Sequence, residues 1–231
     1  MTNDHTYRRR IQSFVRREGR LTPGQQRALD TLYPLYGLDE DADPIAWRDA
    51  VDTNAPVVVE IGFGNGLSLA QAAAAHPDTA FLGIEVHRPG VGQMLMRTQE
   101  LGLHNLRVIC GDAVPVLSAR VPQQSLTRVN LFFPDPWPKK RHHKRRLVQA
   151  GWVDSVASRL LPDGRLHLAT DWENYAEHMH RVLSDNPNFE ACSSTECEAA
   201  QAAYRVTTKF EARGRSLGHG VWDLVYRRVV A

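Results

Sequence analysis

The chain has 231 residues, an ordinary globular composition and a formal net charge of +2 at pH 7, so one domain with a buried core is expected. No apolar run approaches the roughly 18 residues needed to cross a bilayer, and the arginine-rich start lacks the apolar core of a secretory signal. Three cysteines without a C-x-x-C pair argue against a disulfide framework and a zinc site. We therefore expect a cytoplasmic protein without a membrane span or a metal.

The small net charge hides two basic clusters. Residues 1–27 contain seven arginines against two acids, and residues 139–146 contain six lysines and arginines and no acid. A single cluster of this kind is usually a solvated surface, but two in one small protein predict a polyanionic partner.

Residues 1 to about 50 do not show the pattern of a sheet. Thr22 and Pro23 are typical of the N-cap and first position of a helix, which is predicted to run through about Leu32. The acidic stretch 38–52 then predicts a linker into the first strand.

The segment 57–66 organises the rest of the chain. Its apolar start predicts a buried parallel strand, and the glycines at alternate positions predict a sharp turn into a helix over 67–75. The spacing G-x-G-x-G is one residue shorter than the dinucleotide fingerprint, and Glu60 precedes it by two residues. A carboxylate there would repel a pyrophosphate but suits a cationic or hydroxyl-bearing ligand. A tight turn without a ligand is the alternative interpretation. The pattern E-x-G-x-G-x-G resembles motif I of the methyltransferases that use S-adenosylmethionine (SAM).

Two further strands also end at acids. The strand over 80–85 ends at Glu85, at the spacing where a carboxylate meets a ribose diol, and the strand over 106–110 leads into Asp112. Alternation of strands and helices predicts a parallel sheet, whose ligands bind at the carboxyl ends of the strands. Glu60, Glu85 and Asp112 are therefore expected around one cofactor.

The fourth strand, over 129–133, is followed by Pro-Asp-Pro-Trp-Pro at 134–138. Prolines on both sides of Asp135 restrict the backbone, so the loop is expected to hold the Asp135 carboxylate and the Trp137 ring in fixed directions. The basic run 139–146 comes next and would bring an anionic partner to the same edge. His142 and His143 within it have no ligand-spaced partners and are interpreted as polar contacts.

The remaining elements continue the alternation. A helix is predicted over 147–161, a turn over 162–164, a strand over 165–170 ending at Asp171, and a helix over 173–183. His167 alternates with apolar residues and is interpreted as structural. Strands over 189–195 and 221–229 predict an antiparallel hairpin at the edge of the sheet.

The motif at 60–66, the block Phe-Phe-Pro-Asp-Pro-Trp-Pro-Lys-Lys-Arg-His at 132–142 and Thr-Lys-Phe-Glu at 208–211 together resemble the bacterial tRNA (guanine-N7-)-methyltransferase family (TrmB). The likeness covers essentially the whole chain. It implies an α/β, Rossmann-like class I methyltransferase fold, with a mostly parallel seven-stranded sheet and an antiparallel C-terminal hairpin. Residues 1–52 would be a basic N-terminal extension with a docking helix and linker, and 53–231 the SAM-dependent domain.

The resemblance also implies an activity and a set of functional residues. The enzyme would transfer a methyl group from SAM to N7 of guanine 46 in the tRNA variable loop, with Asp135 as the catalytic residue. A monomer is slightly favoured over a homodimer. The implied cofactor-binding residues are Glu60, Gly62, Gly64, Gly66, Glu85, Asp112 and Asp135. The implied substrate-binding residues are Lys139, Asp171, Thr208, Lys209, Phe210 and Glu211, and the RNA-binding residues are Arg141, His142, His143, Lys144, Arg145 and Arg146.

Three other interpretations stay open from the sequence. A methyltransferase acting on an exocyclic amine, in another nucleic acid or a small molecule, carries an Asp/Asn-Pro-Pro-aromatic loop that Asp135-Pro136-Trp137 matches in part. A nucleotide-dependent oxidoreductase would use a similar sheet. A non-catalytic RNA-binding module would use it as a platform, although the four acids predicted at the cofactor edge argue against this.

Overall fold

A computed structural model describes residues 13–14, 19–47, 55–205 and 220–230. The substrate-binding prediction for Thr208, Lys209, Phe210 and Glu211 lies outside these residues. The strands are β1 Val57–Ile61, β2 Ala80–Glu85, β3 Leu106–Cys110, β4 Leu126–Phe132, β5 Leu160–Thr170, β6 Phe189–Ala191 and β7 Trp222–Arg228. The helices are α1 Pro23–Thr31, α2 Tyr33–Tyr36, α3 Leu67–Ala75, α4 Arg88–Glu100, α5 Ala113–Ala119, α6 Ala150–Arg159, α7 Glu173–Ser184 and α8 Ser194–Tyr204, with a 3-10 helix Lys140–Arg145.

The seven strands form one sheet in the order β3-β2-β1-β4-β5-β7-β6. The first five strands in that order are parallel, and β7 pairs antiparallel with both β5 and β6. The strand order reverses between β1 and β4, which is the place where open α/β sheets bind their ligands. The predicted sheet architecture is confirmed.

Apolar residues cover both faces of the sheet. Val57, Val59 and Ile61 of β1 face a core completed by α5, α6 and α7, whereas Val58 faces a second core with α1, α3 and α4. The strand is buried on both sides, which explains its continuous apolar sequence. Helix α1 begins at Pro23 as predicted, because the N-cap Thr22 and Gln25 at the third helical position form a reciprocal capping box.

The C-terminal part differs from the simple hairpin that the sequence predicted. Strand β6 ends at Ala191, and helix α8 follows it, so β6 and β7 are not consecutive elements although they pair. Ser193 and Glu196 form a capping box that begins α8, a signal present in the sequence but not recognised there. Strand β5 also begins at Leu160, five residues earlier than predicted, and takes in the expected turn at 162–164.

Neither a membrane span nor a metal cluster is found within the described ranges. None of their helices is long and apolar enough to cross a bilayer. No group of three or more potential ligands among the same residues could hold a metal ion.

Candidate active site

A cavity of about 1110 Å³ opens at the carboxyl edge of the sheet. Its wall includes residues at or just after the ends of β1 to β4 and, from the N-terminal part of the chain, Ser13 and Phe14. Three of the acids predicted to share one ligand, Glu85, Asp112 and Asp135, line this cavity. These three carboxylates therefore lie around one cavity, whereas Glu60, which the sequence analysis expects beside the same cofactor, does not line it.

The glycine turn after β1 leaves the backbone open towards the cavity. Gly62, Gly64 and Gly66 have φ angles of 72°, 58° and 73°, which side-chain-bearing residues rarely adopt. A Cβ at Gly62 or Gly64 would meet nothing within 4 Å, whereas one at Gly66 would collide with the side chain of Met94. Gly62, which lines the cavity, thus keeps space for a ligand, Gly64 borders open space, and Gly66 allows α3 to pack against α4.

Glu85 fixes the glycine turn at the end of β2. One carboxylate oxygen accepts a hydrogen bond from Gly64 N at 2.9 Å, and the other accepts from His87 N at 2.9 Å. Because each oxygen retains a free lone-pair direction, the same carboxylate can still accept from a ligand hydroxyl.

Asp112 has a structural role besides the predicted one. Its Oδ1 accepts a hydrogen bond from Val114 N at 3.0 Å and caps the N-terminus of α5. The side chain is half-buried and lines the cavity. A carboxylate in this position is held in one orientation and can accept from a ligand through its other oxygen.

Glu60 is buried and does not form part of the cavity wall, although the next two residues, Ile61 and Gly62, do. Its side chain is 3% exposed, and its Oε2 has no hydrogen-bond partner among the described residues. Burial raises the pKa of Glu60 to about 8, so the carboxyl is protonated at neutral pH. Its neighbour in register on β4 is Asn130, whose Oδ1 is likewise buried without a partner in that part of the chain.

The proline loop after β4 presents Asp135 to the cavity with its side chain exposed. Phe133 and Trp137 flank it with φ angles of 51° and 46°, which cost roughly 1–3 kcal/mol each for residues other than glycine. Side-chain contacts hold the loop in this strained conformation. Trp137 Nε1 donates to Ser13 O at 3.0 Å, and the Arg145 guanidinium stacks 4.4 Å from the centroid of its ring.

Arg146 requires a correction to the sequence analysis. The sequence analysis expects it to face RNA, but Arg146 is only 2% exposed, so it is not available to a phosphate. Its Nε donates to Pro136 O at 2.9 Å, its Nη2 to Asn174 Oδ1 at 2.9 Å and its Nη1 to Asn174 O at 3.3 Å. Burial lowers the pKa of Arg146. The guanidinium joins the proline loop to the first turn of α7.

The other members of the basic run form a positive surface beside the cavity. Lys139, Lys140, Arg141 and Lys144 are exposed, and Arg145 is half-buried against Trp137. The two histidines make polar and ring contacts: His142 lies edge-on to the Trp137 ring, and His143 contacts Arg146. Burial and the surrounding cations lower the pKa of His142, so it adds little positive charge at neutral pH.

Asp171 follows β5 at the same edge and is exposed.

A buried polar cluster that the sequence did not reveal joins β5 to its neighbour β7. His167 Nε2 lies 2.9 Å from Asp223 Oδ1, and Arg205 donates to both Asp223 oxygens at 2.9 and 2.6 Å. Burial disfavours the ionised Asp223, but the His167 and Arg205 contacts hold its pKa below the usual value. His167 is therefore structural, as predicted.

The family model and the most similar curated relatives reported below all match methyltransferases. The model of a family described as "Putative methyltransferase" matches residues 54–224. A tRNA (guanine-N(7)-)-methyltransferase of Alcanivorax borkumensis is 53% identical over 220 residues, which are 95% of this chain and 92% of that protein. One of Sodalis glossinidius is 55% identical over 222 residues, which are 96% of this chain and 93% of that protein.

Solved structures share the fold at low identity. The 16S rRNA methyltransferase KamB has a TM-score of 0.58 at 12% identity, covering 82% of this chain and 96% of that one. The cyclase SpnF has a TM-score of 0.51 at 16% identity, covering 93% of this chain and 100% of that one. Since a methyltransferase and a cyclase share this fold, the fold alone does not fix the reaction.

Proposed function

Because the chain belongs to the tRNA (guanine-N(7)-)-methyltransferase family, we propose that it transfers the methyl group of SAM to N7 of guanine 46 in the variable loop of tRNA. Family membership and the seven-stranded sheet confirm the predicted class I methyltransferase fold, the SAM cofactor and the tRNA guanine-N7 reaction. The position of the guanine within the tRNA is a prediction from the family resemblance. The roles of individual residues are part of this proposal.

The residues around the cavity fit SAM. Gly62 and Gly64 leave open space for backbone contact, and Glu85 and Asp112 offer fixed carboxylates to hydroxyl or ammonium groups. SAM supplies an electrophilic methyl group on a positively charged sulfur. Glu60, protonated and buried just before the turn, would support the site without lining the cavity.

The observation that carries the proposal is the placement of Asp135. It lines the cavity that the glycine turn also lines, and its loop is fixed by the contacts of Trp137 and Arg146. A carboxylate held there can accept hydrogen bonds from the N1–H and N2–H₂ edge of a guanine. It would also stabilise the positive charge that develops on the base during transfer.

Positioning rather than proton transfer accounts for most of the catalysis. N7 of guanine carries a lone pair and no proton, so no general base is required. Alignment of two reactants can contribute roughly 7–11 kcal/mol to lowering the barrier. Recognition of the guanine edge also rejects adenine by something like 1–3 kcal/mol for a good hydrogen-bonded pair.

The exposed basic residues next to the loop would bind the phosphate backbone. Lys139, Lys140, Arg141 and Lys144 are available for this, and Arg145 contributes a partly covered charge. If about four of these charges engage phosphates, log K for RNA should fall with log salt at a slope of about −3 to −4.

The proposal is tested with labelled SAM and bulk tRNA that lacks N7-methylguanosine, followed by nucleoside analysis. We expect label in N7-methylguanosine and its loss when guanine 46 is replaced. Label in a nucleoside that is methylated on an exocyclic amine would instead support a methyltransferase acting on exocyclic amines. No transfer to tRNA by a protein that binds SAM would overturn it.

A further inference from the structure

Trp172 is an exposed aromatic residue at the carboxyl edge of the sheet, just beyond β5. It is 41% exposed and is the only one of the five tryptophans among the exposed large hydrophobic residues of the structure. Its backbone N donates to Thr170 Oγ1, which fixes the start of α7. Across the described ranges, its indole makes no ring stacking contact and no hydrogen bond. By contrast, Trp137 already contacts Arg145 and His142.

The position of Trp172 relative to Asp135 is fixed. Phe133 N donates to Ala169 O at 2.8 Å, so the ends of β4 and β5 stay paired up to the point where both loops leave the sheet. One guanidinium, that of Arg146, then bonds both Pro136 and Asn174. Pro136 is the neighbour of Asp135, and Asn174 lies two residues after Trp172.

The charge around Trp172 favours a base over a phosphate. Asp171 and Glu173 flank it in sequence, and both are exposed. Two carboxylates repel a phosphate, but they can accept from the N–H groups of a nucleobase. An isolated exposed apolar residue is common on protein surfaces and needs no explanation. Here, however, the residue directly follows β5 at the edge of the sheet where β4 leads into the loop of the proposed catalytic acid, and exposed acceptors flank it in sequence.

We propose that the Trp172 indole is a stacking platform for a purine base of the RNA substrate, next to Asp171 at the carboxyl edge of the sheet. This inference rests on the proposed function. Every base has a π face, so the stack adds binding energy and orients the ring plane, while the neighbouring carboxylates select the edge.

The test compares Trp172→Ala and Trp172→Phe with Leu101→Ala. Leu101 is also large, apolar and exposed, but it lies at the C-terminal end of α4, at the opposite edge of the sheet. With unmodified tRNA and saturating SAM, we expect Trp172→Ala to lower kcat/KM for tRNA by about 5- to 150-fold, the range found for one stacked base. Trp172→Phe should retain most of it, and Leu101→Ala all of it. SAM affinity by calorimetry should stay unchanged in all three.

A second readout does not depend on turnover. Adding the same tRNA to wild-type protein saturated with S-adenosylhomocysteine should quench part of the tryptophan emission, and Trp172→Phe should lose that part. Wild-type kcat/KM in Trp172→Ala, or an undiminished quench in Trp172→Phe, would overturn the inference. So would a parallel loss of SAM affinity, because it would indicate a structural role. If wild-type protein does not methylate N7, the proposed function fails, whereas the quench still tests stacking.

Discussion

Two loops line the same cavity in opposite ways. The loop 62–66 follows β1 and contains three glycines with positive φ, and a Cβ at Gly62 or Gly64 would meet nothing. The loop 133–138 follows β4, contains three prolines, and is held by Ser13, Arg145 and Arg146. The first creates room by lacking side chains, and the second uses neighbouring side chains to hold one carboxylate in place.

The acids of the two loops differ accordingly. Glu60, just before the glycine loop, is buried and protonated, whereas Asp135 in the proline loop is exposed to the cavity. Under the proposed function, cofactor binding would therefore depend on backbone shape, and substrate orientation on side-chain support. Each of the following changes tests one side of this comparison.

The largest effect is expected for Asp135→Ala. Removal of the carboxylate should lower kcat by about 10²–10³-fold, which is typical for loss of one preorganised electrostatic contact. Because the side chain is exposed and makes no hydrogen bond within the described chain, the melting temperature should change little. Single-turnover methylation of unmodified tRNA measures the rate. Wild-type turnover in this variant would remove Asp135 from the chemistry.

Arg146→Ala should mainly destabilise the protein. It removes four hydrogen bonds from a buried guanidinium and leaves Pro136 O and Asn174 Oδ1 without their donor, so we expect a loss of roughly 2–4 kcal/mol in urea unfolding. It should also lower kcat, because the loop loses its link to α7.

Arg145→Ala is the matched control, one residue earlier. Its cation–π contact is partly exposed, so stability should fall by no more than about 1 kcal/mol. Instead, the salt slope of tRNA binding should become shallower by about one. Equal destabilisation by the two substitutions would contradict the distinction drawn between these neighbouring arginines.

Gly64→Ala should weaken SAM binding by about tenfold, because the new methyl group enters the open space beside the backbone and must adopt φ 58°. Gly102→Ala provides the control. That glycine has φ 61° and equally open surroundings, but it lies between α4 and β3, away from the cavity. Both should lose about 1–2 kcal/mol of stability, and calorimetry should show weaker SAM binding only for Gly64→Ala.

The smallest effect concerns pH. Burial raises the pKa of Glu60 to about 8, so the folded protein keeps a proton that the unfolded chain releases near pH 4.5. The stability that this proton confers is complete below pH 4.5 and is lost as pH rises through about 8. Melting temperature should therefore fall more steeply between pH 5 and 8 in wild type than in Glu60→Gln. Identical pH profiles would show that Glu60 is ionised in the folded state.

Local signals made much of the sheet predictable. The apolar run before Gly62 and the acids at 85 and 112 identify strands and their carboxyl ends, because strand period and turn chemistry are properties of neighbouring residues. Long-range contacts were not predictable. Arg145 and Arg146 look alike in sequence, and contacts with Pro136 and with Asn174, 28 residues further on, make the second one structural. In the same way, the partner of His167 is 56 residues away.

The paired contacts of Asp223 have a practical consequence. Arg205, just after α8, binds this carboxylate through two nitrogens, and His167 contacts it from β5. One side chain on β7 therefore couples the end of α8 to the middle of the sheet, so a substitution at Asp223 is expected to loosen both elements together.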